Sequence, residues 1–207
     1  MISYISVPKT VRYAERGNTE TPEIILYALH GYGQLVEYFI RKFNLEPEST
    51  LVIAPEGMHR FYLEGSSGRV GASWMTKVER DADIADNIGY LNTLHESIYQ
   101  KYGDHPRYIV LGFSQGGATA ARWVHLGTIK PDGLILWATV FPPDLIKENE
   151  KPIEKSFFVI GDNDEYYPGT AADDILNEYK NMGYSTIKFN GSHNIDSNVL
   201  LSLLKEF

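Results

Sequence analysis

Cysteine is missing from all 207 residues. That excludes disulfide scaffolds, thiolate metal sites and a cysteine nucleophile together. Positive charge is scarce: 19 Lys and Arg against 27 Asp and Glu leave a formal net charge of −8. No basic stripe is present that could release counterions from a phosphate backbone, so no nucleic-acid partner is expected. No apolar run approaches the ~18 residues needed to cross a bilayer, which argues against stable membrane insertion. Met1 to Lys9 contain neither a basic leader nor an apolar stretch of signal-peptide length, so the protein reads as cytoplasmic. The Asn190-Gly191-Ser192 sequon is then idle. Pro/Ser-rich spacers, long charge runs and internal repeats are also lacking, and residues 1–207 read as one domain. Neither His-Glu-x-x-His nor a carboxylate–histidine cluster occurs, and no metal or other cofactor is expected. Gly65-Ser66-Ser67-Gly68-Arg69-Val70-Gly71 is not a phosphate loop, because no Gly-Lys-Ser/Thr follows it.

What remains is 43% hydrophobic, ample for a buried core. Glu23 to Leu29, Ser49 to Ala54, Arg107 to Leu111, Gly133 to Ala138, Ser156 to Ile160 and Tyr184 to Phe189 are short apolar runs that predict strands. Between and after them, Val36 to Phe43, Val78 to Tyr102, Gly117 to Val124, Ala171 to Met182 and Val199 to Phe207 space apolar residues three and four apart, which predicts helices. Residues 2–16, with Pro8 and several charges, suit an edge hairpin or arm. Glu56 to Ser73 is the least regular stretch. Pro142-Pro143 predicts a turn opening a short helix. About six alternations of strand and helix, joined by right-handed crossovers, give an α/β fold with a doubly wound, mostly parallel sheet and helices on both faces. Ligands in such sheets bind at the carboxyl ends of strands.

One such end carries Gly112-Phe113-Ser114-Gln115-Gly116. A serine flanked two residues each way by glycine, on a strand-to-helix turn, matches the nucleophile elbow of α/β-hydrolases. The strained turn leaves no room for a Cβ at the flanking positions. A serine hydroxyl is a poor nucleophile and needs a base. His193, in Gly191-Ser192-His193-Asn194 after the final strand, is the candidate; His95, His105 and His125 lie on or beside helices, and His59 lies in the irregular loop. His30, before Gly31-Tyr32, reads as a buried ring that holds its loop by hydrogen bonding.

The base needs a carboxylate to fix its tautomer. Asp164 and Asp162 both follow the strand ending at Ile160, and Asp164, deeper in the loop, is preferred, with Asp162 capping the turn. Asp144 is a third option whose plainer reading is an N-cap. Two N–H donors must meet the oxyanion: the backbone N–H of Gln115 and that of Tyr32, where Gly31 and Gly33 let the loop fold over. Both contacts are backbone, so side-chain changes at Gln115 and Tyr32 should be tolerated better than one at Ser114. Tyr32, Phe61, Tyr62, Trp74 and Tyr166 are candidates for an acyl pocket, Trp74 foremost as a substrate-binding residue, whereas Trp123 and Trp137 read as packing.

The set His30-Gly31-Tyr32-Gly33, Ser73-Trp74, Gly112-Phe113-Ser114-Gln115-Gly116-Gly117, Gly161-x-x-Asp164-x-x-x-Pro168 and Gly191-x-His193 resembles the phospholipase/carboxylesterase branch of α/β-hydrolases. That branch includes small bacterial carboxylesterases and acyl-protein thioesterases. The resemblance spans nearly the whole chain. It implies a hydrolase with little or no lid and a triad of Ser114, Asp164 and His193. The expected partner is a small-molecule ester, thioester or lysophospholipid. Two departures, Tyr167 where the family has valine and the Gly/Ser-rich Arg60 to Ser73, speak against long acyl chains. A serine esterase for short-to-medium acyl chains is therefore expected. The alternatives are a thioesterase or lysophospholipase with the same triad, or an idle hydrolase fold used for binding. Surface aromatics leave a homodimer open.

Overall fold

The near-continuous apolar runs become strands that are covered on both faces. The computed structural model describes residues 2–43, 49–145 and 153–207. In chain order the strands are β1 (Tyr13–Gly17), β2 (Ile24–Leu29), β3 (Thr50–Pro55), β4 (His59–Glu64), β5 (Ser67–Ser73), β6 (Arg107–Phe113), β7 (Gly133–Trp137), β8 (Ser156–Gly161) and β9 (Ser185–Phe189). The helices are α1 (Val36–Phe39), continued by a 3-10 turn to Lys42, α2 (Arg80–Tyr102), α3 (Gln115–Leu126), α4 (Ala171–Asn181) and α5 (Ser197–Leu204).

Seven strands form one sheet in the order β1-β3-β2-β6-β7-β8-β9. All neighbours are parallel except β1, which pairs antiparallel with β3 at the edge. Alternate side chains of β2 feed two cores. Ile25, Tyr27 and Leu29 pack with α2, α3 and α4; Leu26 and Ala28 pack with α1 and α5. Each wholly buried leucine or isoleucine contributes about 1.5–3 kcal/mol, so these runs decide which segments enter the sheet. With helices on both faces of a mostly parallel sheet, this is the α/β-hydrolase architecture expected. No helix of the described residues is long and apolar enough to cross a membrane.

Register then positions the loops. Leu29 of β2 lies opposite Gly112 of β6, so the turns after these strands, His30–Gly33 and Ser114, start side by side. They do so where the strand order reverses, the usual crevice of such sheets. Phe113 opposite Trp137 sets Ala138 beside Ser114. Gly161 opposite Phe189 does the same for the loops carrying Asp164 and His193.

Several expectations need correction. Glu56 to Ser73 is not irregular: β4 and β5 form a separate antiparallel hairpin. The glycines of its turn and second strand masked the pattern, and Gly65 at φ +60° makes the turn. The N-terminal arm is no hairpin: its only strand is β1, and residues 2–12 carry no regular structure. The helix expected after Pro143 is, within the described residues, a 3-10 turn over Pro143–Leu145; residues 146–152 lie outside them.

Candidate active site

Ser114 sits between β6 and α3 at φ 53°, ψ −122°, a left-handed conformation that a non-glycine residue holds only when its surroundings impose it. The flanking glycines impose it. A Cβ on Gly112 would stand 2.5 Å from the Gly116 carbonyl oxygen, and one on Gly116 2.4 Å from that of Leu29. Both obstacles are backbone, so neither position accepts a side chain. The Ser114 N–H is anchored on the Trp137 carbonyl at 2.9 Å. The hydroxyl makes no capping bond and has no hydrogen-bond partner among the described residues. It opens into a cleft of about 280 Å3 shared with His193, Ala138, Val140, Tyr166 and Tyr167. Ala138 also has positive φ, at 49°, so two of the three strained non-glycine residues line this cleft.

His193 and Asp164 meet as the order of the chain suggests. His193 Nδ1 lies 2.8 Å from Asp164 Oδ2, and the Asp164 side chain is wholly shielded from solvent. The second carboxylate oxygen accepts the Tyr166 N–H at 3.0 Å. A carboxylate so held accepts a hydrogen bond from Nδ1–H, which keeps the proton on Nδ1 and leaves the Nε2 lone pair free. Phe113 and Tyr166 flank the imidazole with ring centroids 4.8 and 4.5 Å away. Asp162 acts as the turn residue: Oδ1 accepts the Gly191 N–H at 3.0 Å, tying the acid loop to the base loop. Asp144 is neither triad acid nor N-cap. It pairs in two bonds with the buried Arg122 and also with Arg80, and the Arg122 hydrogen bonds hold its carboxyl well below the usual range.

The Tyr32 and Gln115 backbone N–H groups have no partner among the described residues. Two free donors beside a serine hydroxyl fit an oxyanion hole. His30 anchors this loop from below. Its ring is fully buried; the Gly57 N–H donates to Nε2 at 2.9 Å, so the proton is on Nδ1, which donates to the Gly31 carbonyl at 2.7 Å. Burial pushes its pKa down, keeping the ring neutral. The remaining histidines stand apart: His59 bonds Asp83, His95 bonds the Tyr27 hydroxyl, His125 bonds the Ala121 carbonyl, and His105 is exposed.

Trp74 is a correction. It does not line the cleft: it is 0% exposed, with Nε1 donating to the His30 carbonyl at 2.8 Å. β5 runs beneath the oxyanion loop, so Trp74, the residue just past its end, becomes a prop. Of the other aromatic candidates, Tyr166 lines the cleft, while Tyr32 and Phe61 pair with each other 5.0 Å apart. Trp123 and Trp137 are core, as expected.

Two contributors escaped the sequence. The Gln115 side chain accepts the Trp74 N–H at 3.1 Å and donates to the Met75 carbonyl at 2.9 Å, clamping the end of β5 to the elbow, a role that the sequence did not show. Gly71 packs directly on the oxyanion loop, where a Cβ would come within 2.6 Å of the Gly33 carbonyl oxygen, and the Gly33 N–H donates to Ala72 at 2.8 Å. Only the glycine spacing of the hairpin pointed that way.

The family model for serine hydrolases (FSH1) matches residues 21–198. Among solved structures, esterase PE8 gives a TM-score of 0.72 at 20% identity, over 96% of this chain and 99% of its own. Acyl-protein thioesterase 2 of Zea mays gives 0.70 at 14% identity, over 94% and 98%. The Bacillus cereus carboxylesterase gives 0.63 at 13% identity, over 95% of each chain. At these identities the likeness is one of fold. No curated protein matches the chain by sequence.

Proposed function

Because the chain belongs to the serine hydrolase (FSH1) family, we propose that it cleaves carboxylic esters of short-to-medium acyl chains through an acyl-enzyme on Ser114. The observation that carries this is the shielded Asp164 carboxylate 2.8 Å from His193 Nδ1, in one cleft with a strained serine. In this reading His193 Nε2 takes the Ser114 proton as Oγ attacks the ester carbonyl. The Gln115 and Tyr32 N–H groups receive the oxyanion, each worth about 3 kcal/mol of barrier. The imidazolium, stabilised by Asp164, then protonates the departing alkoxide. Water, deprotonated by the same ring, hydrolyses the acyl-enzyme and regenerates Ser114.

Cleft size supports short acyl groups. About 280 Å3 falls just below the ~300–1,000 Å3 of typical ligand sites, and the walls at Ala138 and Val140 are apolar. A complete serine, histidine and carboxylate set favours an enzyme over a binding module. Ser114→Ala should abolish hydrolysis of p-nitrophenyl acetate with little change in thermal midpoint; retained activity would defeat the assignment. Across an acyl-length series the rate should fall beyond medium chains, whereas a maximum at palmitoyl length would transfer the assignment to a thioesterase or lysophospholipase.

A further inference from the structure

A second cleft, of about 440 Å3, starts where the oxyanion loop leaves the site. Gly33 and Gln34, Phe39 and Lys42, and Arg69 and Val70 line it. It touches both catalytic loops: Gly33 follows Tyr32, and the Lys42 ammonium donates to Asn194 Oδ1, next to His193.

Its charge runs against the composition. Several cations elsewhere meet carboxylates: Arg12 and Arg60 meet Glu56, Arg80 and Arg122 meet Asp144, and Lys188 meets Asp173, while Lys9 and Lys155 reach backbone carbonyls. Among the residues lining this cleft there is no carboxylate. Lys42 has only a neutral amide oxygen, and Arg69 has no partner among the described residues. Burial, with no anion to offset it, pulls the Lys42 ammonium below the usual lysine range. In a chain of net charge −8, two cations in one cleft with no carboxylate among the described residues that line it form a site that an anion would complete. The apolar surface of Leu35 and Val70 beside them suits a stem and not a bare ion.

We propose that this cleft binds a carboxylate carried on an apolar stem of the substrate, with Lys42 and Arg69 holding the anion and Leu35 and Val70 covering the stem. Assigning that acid to the substrate rests on the hydrolase reading; the binding itself does not.

Calorimetry on Ser114→Ala protein separates the two. 4-Phenylbutyrate should bind about tenfold to a hundredfold more tightly than the neutral 4-phenylbutanamide, the range expected of hydrogen bonds to charged groups. The advantage should shrink with added NaCl and vanish in Lys42→Gln/Arg69→Gln protein of unchanged thermal midpoint. Equal binding of acid and amide, or a preference that survives the double substitution, would overturn the proposal. So would inorganic phosphate binding as tightly as the acid, which would assign the cations to a free oxyanion. In the unsubstituted enzyme the acid should inhibit p-nitrophenyl acetate hydrolysis competitively, and binding without competition would remove the cleft from the substrate site. Failure of the hydrolase reading shows separately, as hydrolysis that survives Ser114→Ala.

Discussion

Two loops at the carboxyl edge of the sheet each carry a histidine, and they hold their rings in opposite ways. His30 spends both nitrogens on backbone, accepting from Gly57 and donating to Gly31, with no surface exposed. His193 spends one nitrogen on a carboxylate and turns toward an open cleft. A ring satisfied on both sides in an apolar setting is locked in one neutral tautomer and serves as a bolt. A ring with one fixed partner and one free nitrogen can gain and lose a proton while staying aimed. The same side chain is structural in one loop and fit for catalysis in the other, and the difference lies in what its second nitrogen meets.

The contrast breaks most visibly under substitution. His193→Ala should lower kcat for p-nitrophenyl acetate on the order of 10⁴- to 10⁶-fold, with a thermal midpoint near that of the unsubstituted protein; steady-state rates and a melting curve read both, and a rate loss under tenfold would sink the catalytic role. His30→Ala should show the reverse emphasis. Two buried hydrogen bonds and a ring-sized cavity cost about 2–4 kcal/mol of stability by urea unfolding. An unchanged unfolding midpoint would mean that His30 is no bolt.

A smaller effect is expected one layer out. Gln115→Ala removes the clamp on Trp74 and Met75, costing about 1–2 kcal/mol of stability. It should lower kcat by about tenfold with KM little moved, because the clamp positions the elbow against the oxyanion loop without holding substrate. A change confined to KM would instead make Gln115 a substrate contact.

The smallest effect is in pH. His30 is lowered in the folded state by burial, so the unfolded chain binds more protons as pH drops below the free-histidine value of about 6.5. Its contribution to stability is therefore complete above that pH and is lost below it, at no more than about 1.4 kcal/mol per pH unit. Burial lowers His95 in the same direction, so the test is a difference: between pH 7 and 5.5, His30→Gln protein should lose less stability than the unsubstituted protein. Equal slopes would place the sensitivity elsewhere.

Much of this was legible in the residues. The elbow glycines announced a turn with no room for side chains, and the apolar runs announced strands covered on both faces. The role of His30 was readable because an imidazole at a buried strand end must find partners. Trp74 was misread because its neighbours in sequence are loop-like, whereas its neighbours in space are His30 and the core. The β4–β5 hairpin was missed because only β4 alternates, over six residues, and Gly65, Gly68 and Gly71 make its partner read as loop. The Lys42–Arg69 cleft joins residues 27 positions apart on unrelated elements, and no local pattern marks it.

The order of residues alone determined the α/β alternation, the strained serine and the order in which serine, aspartate and histidine follow the strand ends. These follow from hydrophobic period and from local sterics, which act over a few residues. Only the folded sheet decided that Asp164 and not Asp162 reaches His193, that Trp74 is buried as a prop beneath His30, and that two cations share a cleft. Strand register sets those distances, and register depends on how separate runs pack against one another, a property that no single run contains.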